Sequence, residues 1–308
     1  MVKRKVIYKI ISYSIILAIF CFLSKTLFEN WQKVKNYDFS FNYFYLILSF
    51  ILVILSIIVL FFIWNRILRI IEPNKKISYF KAVQIVAYSW FGRYLPGKVW
   101  MFLGRIYLGE KSGLNKKVLT ISVIYEIILS VASAFLFALI FLGISFGAKA
   151  PNFYILSLVA VFIGFLFVHP KVFNFIFNFI LSKFKKTEVP LNSFLTYWNI
   201  VEIVFYYFIA YALNGTAFFF LIKSLVYLPF CDIMGVIGLF NLASVLGTIA
   251  LFAPSGIGVR EGVLVIFLQF YFPIGIAVSI SLISRIWATL SEVIIFVCVY
   301  LYSKLTKI

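Results

Sequence analysis

Six stretches of this 308-residue chain, roughly 6–28, 41–64, 118–143, 153–168, 194–222 and 276–302, are almost uninterruptedly apolar. A helix needs about 20 such residues to cross the hydrocarbon of a bilayer, so the runs themselves predict a polytopic all-α membrane protein. Composition agrees: 64% of residues are hydrophobic and 12% charged, with a mean hydropathy of +1.08, which excludes a water-soluble fold. The 38 Phe, 19 Tyr and 6 Trp suit lipid contact and interfacial belts. A net charge of +18 would suggest nucleic acid in a soluble protein. Here the basic residues flank apolar runs, so orientation in the membrane and contact with anionic lipid explain them, and no nucleic-acid partner is implied. Cys21, Cys231 and Cys298 show no CxxC spacing and His169 stands alone, which argues against a disulfide framework or a metal site. Lys3, Arg4, Lys5 and Lys9 precede an apolar run as in a secretory signal, but no small-residue cleavage site follows. An uncleaved first span is expected.

Two further apolar stretches are broken. One covers 77–108 and is interrupted at Leu95-Pro96-Gly97; the other covers 233–272 and is interrupted from Ala253 to Gly258. Proline removes a backbone donor and glycine permits tight turns, so each break should end one half-helix and begin another. If both stretches return to the side they entered, 18 Lys and Arg fall on the inside and 5 outside, which puts both termini in the cytoplasm. Full crossing and return would satisfy the same rule. The order span, span, broken stretch, span occurs twice, with Pro96 and Pro254 158 positions apart. Each repeat (about 1–147 and 151–308) has an odd number of full spans, so the second should be inverted, with six full spans and two re-entrant or broken hairpins in all. Paired discontinuous helices in inverted repeats mark secondary-transporter architecture, with the substrate site near the midplane.

The breaks also carry the unusual charges. Arg260 and Glu261 follow Pro254, Gly256 and Gly258 at the start of an otherwise apolar segment. Each charge costs about 2.5–3.5 kcal/mol at the bilayer centre on insertion scales. They either face a polar cavity or satisfy backbone groups of the turn. In the first break, Gly92 to Lys98 begins like a phosphate-binding loop, but Val99 stands where a Ser or Thr must hold magnesium. Nucleotide hydrolysis is rejected. Arg93 and Lys98, beside Pro96 and Gly97, either form an anion site at a half-helix junction or snorkel to the surface. Glu126, Glu202, Arg285 and Glu292 lie inside spans. Glu126 and Arg285 are 159 positions apart, close to the repeat offset, and are expected to form a buried pair, as a structural clamp or part of a lipid or proton path. Glu202 lies near the end of its span, where solvation is expected.

The run Pro254-Ser255-Gly256-Ile257-Gly258-Val259-Arg260-Glu261-Gly262, with Arg93-Tyr94-Leu95-Pro96-Gly97-Lys98-Val99-Trp100 upstream, resembles the transmembrane region of the lysylphosphatidylglycerol synthase/flippase family. The family commonly has Gly at the place of Ser255, and often Glu-Arg where this chain has Glu126-Ile127; Arg285 fits the arginine expected in the last span. The resemblance implies a lipid-translocating membrane domain with re-entrant elements. Full-length members continue into a soluble aminoacyl-transferase domain. This chain ends at Ile308, so that activity is expected to be absent.

The resulting expectation is a non-enzymatic, flippase-like transporter in the cell membrane that needs no cofactor. It would take an anionic or phosphate-bearing envelope lipid, phospholipid or polyprenyl-phosphate-linked, and envelope-biosynthesis enzymes are candidate partners. Arg93, Lys98 and Arg260 would hold phosphate and Glu261 a cationic or hydroxylated group. The competing readings are an integral-membrane glycosyl- or lipid-transferase, disfavoured because Asp38 and Asp232 are isolated from other acids, and a lipid-binding partner that moves nothing. The topology is testable: cysteines introduced at Lys75 and Lys185 should be shielded from an impermeant outside reagent while one at Lys149 reacts. Labelling of all three from outside contradicts the assignment.

Overall fold

Hydrocarbon offers backbone N–H and C=O groups no water, so apolar runs of this length satisfy them internally as helices. The computed structural model describes residues 21, 24–26, 28–35, 37, 39, 41–73, 77–95, 99–146, 155, 158–159, 195–250 and 253–306. Among the described residues every regular element is helical and no strand occurs. In chain order these are α1 (Trp31–Lys35), α2 (Tyr43–Ile71), α3 (Tyr79–Trp90), α4 (Val99–Lys111), α5 (Lys116–Phe146), α6 (Tyr197–Lys223), α7 (Ile233–Ile249), α8 (Val259–Leu268) and α9 (Ile274–Thr306). Three entrances are set by side-chain caps: Asn42, Ser78 and Thr196 accept from the backbone N–H three residues on.

Five helices are long and apolar enough to cross a membrane: Tyr43–Ile71, Lys116–Ser145, Tyr197–Lys223, Phe230–Ile249 and Ile274–Thr306. Four coincide with spans read from the sequence. The expected spans 6–28 and 153–168 fall almost wholly outside the described residues. The fifth helix is a difference from expectation, because it forms the first arm of the second broken stretch. At 1.5 Å per residue, the 17 residues of α7 cover about 26 Å, close to the thickness of the hydrocarbon. The other arms are shorter: α3, α4 and α8 have 12, 13 and 10 residues, or about 18, 20 and 15 Å. Both interruptions fall where proline and glycine predict them, between α3 and α4 and between α7 and α8.

Helix faces sort by environment. Along α2, Phe44, Ile47, Ile51, Leu55, Ile58 and Phe62 recur every three or four residues and are exposed, as a lipid-facing stripe requires. Its other faces bury Val53, Ser56, Phe61 and Trp64: the Ser56 hydroxyl donates to the Ala210 carbonyl of α6 at 2.9 Å, and the Phe61 ring packs edge-on against Trp90 of α3. Small residues let other helices approach closely. A Cβ on Gly215 of α6 would meet Ile237 Cα of α7 at 2.9 Å, and one on Gly238 of α7 would meet the Leu142 backbone N of α5 at 2.9 Å. Helices α5, α6 and α7 therefore form one tightly packed group, against which α8 and α9 set the second break.

Candidate functional site

A guanidinium or carboxylate inside an apolar bundle is costly unless it has a partner, and the partners draw the two breaks together. The chain leaves α3 through a 3-10 turn, Phe91–Tyr94, and leaves α7 for a second one, Pro254–Gly256. These turns touch. Arg93 Nε donates to Ser255 Oγ at 3.3 Å, and Arg93 Nη1 lies 3.0 Å from Glu292 Oε1 on α9. Tyr94 donates its phenol hydrogen to Glu292 Oε2 at 2.8 Å. Arg285, two turns before Glu292 on α9, donates through Nη1 to the Ser255 carbonyl at 3.1 Å and lies over the Tyr94 ring at 5.9 Å. Ser255, Arg93, Glu292, Tyr94 and Arg285 thus close a ring that links both breaks to α9.

Ser255 sits at φ 51°, a left-handed backbone that costs an L-residue roughly 1–2 kcal/mol. Its hydroxyl gives the first break an acceptor that a glycine at this position would lack. Gly256, at φ 71°, lies against Gly247 of α7: a Cβ there would meet the Gly247 carbonyl oxygen at 2.8 Å. The close backbone approach at this glycine is therefore made within the protein. Gly258, at φ 87°, is the N-cap of α8, and its N–H donates to Glu261 Oε2 at 2.6 Å. Glu261 Oε1 faces Arg285 Nη1 at 3.7 Å. The Glu261 carboxylate, expected from sequence to meet a head group, is occupied with capping its own helix and holding Arg285. Pro254 opens the turn at a first helical position, where its missing N–H is harmless.

Arg260 is different. Its guanidinium packs over the Phe240 ring at 4.8 Å, and its Nε and Nη2 are sealed from solvent with no hydrogen-bond partner among the described residues. Arg285 Nη2 is in the same condition. Arg260 lies within electrostatic reach of Glu261, Arg285, Arg93 and Glu292. Among the described residues the junction holds three arginines and two glutamates, an excess of one positive charge. Of the other residues expected at this site, Pro96, Gly97 and Lys98 lie outside the described residues.

The expected Glu126–Arg285 pair is corrected. Arg285 takes Glu261, and Glu126 takes Arg105 of α4. Arg105 is 2% exposed and also lies over the Trp64 ring at 5.2 Å. A sequence offset that matches the spacing of the two breaks does not by itself bring two residues together. Each pair instead fastens the second arm of a break to the span that follows, α4 to α5 and α8 to α9. The signs are exchanged between halves: Arg105 and Glu261 are 156 positions apart, Glu126 and Arg285 159. Glu202, expected to be solvated, accepts a bidentate pair from Arg66 of α2, at 2.9 Å for both bonds. Arg105, Tyr94 and the role of Glu292 escaped the sequence reading. An arginine inside a half-helix, and a glutamate seven residues beyond Arg285 on one helical face, are the signals that could have found two of them.

These pairings predict a double-mutant cycle. Arg105→Gln or Glu126→Gln alone should lower stability by about 3–5 kcal/mol, because a buried partner is stranded, and the double replacement should recover much of the loss. Glu126→Gln and Arg285→Gln should instead add within about 0.5 kcal/mol. Thermal unfolding in detergent measures both cycles; coupling of Glu126 to Arg285 and none to Arg105 contradicts the assignment.

No curated protein and no solved structure matches the chain. One family does, over residues 9–295, and its description is the lysylphosphatidylglycerol synthase TM region. That match spans all of α1 to α8, most of α9 and both breaks, and it agrees with a multi-pass helical membrane protein whose charged residues converge where the breaks meet. The chain belongs to the lysylphosphatidylglycerol synthase transmembrane family.

Proposed function

We propose that this chain is a flippase-like transporter of an anionic or phosphate-bearing envelope lipid and not an enzyme. The observation that carries the reading is the junction itself: two interrupted helices meet among apolar spans, with one more arginine than carboxylate and with guanidinium donors left without acceptors. A head-group phosphate supplies both the charge and the acceptors, and charge-assisted hydrogen bonds to phosphate suit arginine geometry. The lipid tails stay in the bilayer, beside exposed apolar faces such as that of α2.

The architecture proposed for this activity is six full spans and two discontinuous helices in two inverted repeats, with both termini cytoplasmic in the cell membrane. The charge-exchanged pairs Arg105–Glu126 and Glu261–Arg285 support it, since equivalent positions carry the same structural connection. Each pair makes a hairpin arm and its next span move as one piece. Among the described residues the side-chain hydrogen bond between the breaks themselves is that of Arg93 to Ser255, at 3.3 Å. Rocking of one repeat on the other would part the breaks there and open the site to alternate sides.

Arg93→Ala and Arg260→Ala should each slow translocation of a fluorescent anionic lipid in proteoliposomes by about ten- to a hundredfold, the value of one charge-assisted hydrogen bond. Lys98→Ala is expected to act in the same direction. Glu261→Gln should chiefly lower stability, because it loosens the α8 cap and Arg285. Unchanged translocation in all three cation variants at equal incorporation removes the site from transport.

A further inference from the structure

Resting on that transport reading, we infer that Phe240 is a positioning residue of the junction: its ring holds the Arg260 guanidinium in place without occupying the N–H groups that a head-group phosphate needs. Four arginines of the broken stretches and α9 each lie over an aromatic ring. Arg93 stands on Trp90 at 5.2 Å, Arg105 on Trp64 at 5.2 Å, Arg260 on Phe240 at 4.8 Å and Arg285 on Tyr94 at 5.9 Å. Arg93, Arg105 and Arg285 also reach carboxylates, of Glu292, Glu126 and Glu261 in turn. Among the described residues Arg260 forms no such ion pair, and its Nε and Nη2 have no hydrogen-bond partner. A ring, and not an acceptor, holds its head.

That ring is itself fixed. Phe240 of α7 is 1% exposed, and Phe218 of α6 stacks on it with centroids 4.2 Å apart and planes inclined by 20°. Two groups this close cannot share one face, so Arg260 holds the other. Trp287 of α9 packs against Phe240 in a T-shaped arrangement at 6.2 Å. Further along α7, Gly247 clears the Arg260 stem, since a Cβ there would meet Arg260 Cβ at 3.0 Å. Stem and head are both seated on α7. The kind of partner matters as much as its position. A π face attracts a cation through its quadrupole, but it has no lone pair for the five N–H groups in the guanidinium plane. A carboxylate would take those N–H groups as a fork, and an arriving phosphate would have to displace it. Glu261 and Glu292 lie within electrostatic reach of Arg260, so a weaker ring face lets the guanidinium turn to them and lowers its affinity for the lipid.

The test replaces Phe240 with mono-, di- or trifluorinated phenylalanine, which weakens the ring face stepwise at nearly constant shape. The same replacements at Phe218 are the control, because that ring shares the core but lies one ring further from the guanidinium. Proteoliposomes of phosphatidylcholine carry phosphatidylglycerol at increasing mole fraction with a tail-labelled trace, and initial translocation rates give a half-saturating fraction and a limiting rate. At position 240 the half-saturating fraction should rise with each fluorine, to about tenfold for the trifluorinated ring, while the limiting rate holds. At position 218 it should stay near that of the unsubstituted protein. A flat response at 240, or equal shifts at 240 and 218, at equal incorporation overturns the positioning role while leaving transport intact. Rates at the empty-vesicle level for the unsubstituted protein overturn the transport reading, and the inference with it.

Discussion

An arginine in hydrocarbon has to find a counter-charge, and that requirement organises the helical breaks of this protein. Arg93 and Arg285 reach across to the second break at Ser255, and both lean on carboxylates from α8 and α9. Without them the two 3-10 turns would have little reason to touch. The helices that carry the turns are bound to the rest by apolar packing, but apolar packing is weakly directional in a lipid solvent, where tails are as oily as side chains. Direction comes from the charged groups. They specify which turn meets which, and they do so in a region where a mispaired charge is heavily penalised.

One guanidinium is left over. Arg93 and Arg285 satisfy their charge within the protein, whereas Arg260 is held over an aromatic ring with two donors idle. Structural arginines are expected to look like Arg105, which is enclosed by Glu126 and Trp64. The contrast between Arg105 and Arg260, both in the second arm of a broken helix, is why the proposed transport site is centred on Arg260.

Much of this architecture is legible in the residue order. Apolar length marks α2, α5, α6 and α9, and Pro96 and Pro254 with their glycines mark where the broken stretches turn, because those effects act over a few neighbouring residues. Side-chain partnership is a long-range property and was legible only in part. Glu126 and Arg285 lie 159 positions apart, close to the offset between the two breaks, yet each binds the nearer arm of its own broken stretch, at Arg105 and Glu261. Glu292 falls on the same face as Arg285 by helical spacing, but its meeting with Arg93 depends on how α3 and α9 pack. Ser255 reads as a mild departure from the family's glycine until its hydroxyl is seen accepting from Arg93 across 162 positions of sequence.

The central claim is that a lipid phosphate occupies the junction of the two breaks. A cryo-EM map of the protein in phosphatidylglycerol nanodiscs measures this directly. The account predicts density for one phosphate within hydrogen-bond distance of the Arg260 guanidinium, bounded by Arg93 and Arg285, with Glu261 and Glu292 still turned to their protein partners. Lipid phosphates confined to the two membrane surfaces, with the Arg93–Ser255 contact closed in every class of particle, would contradict it.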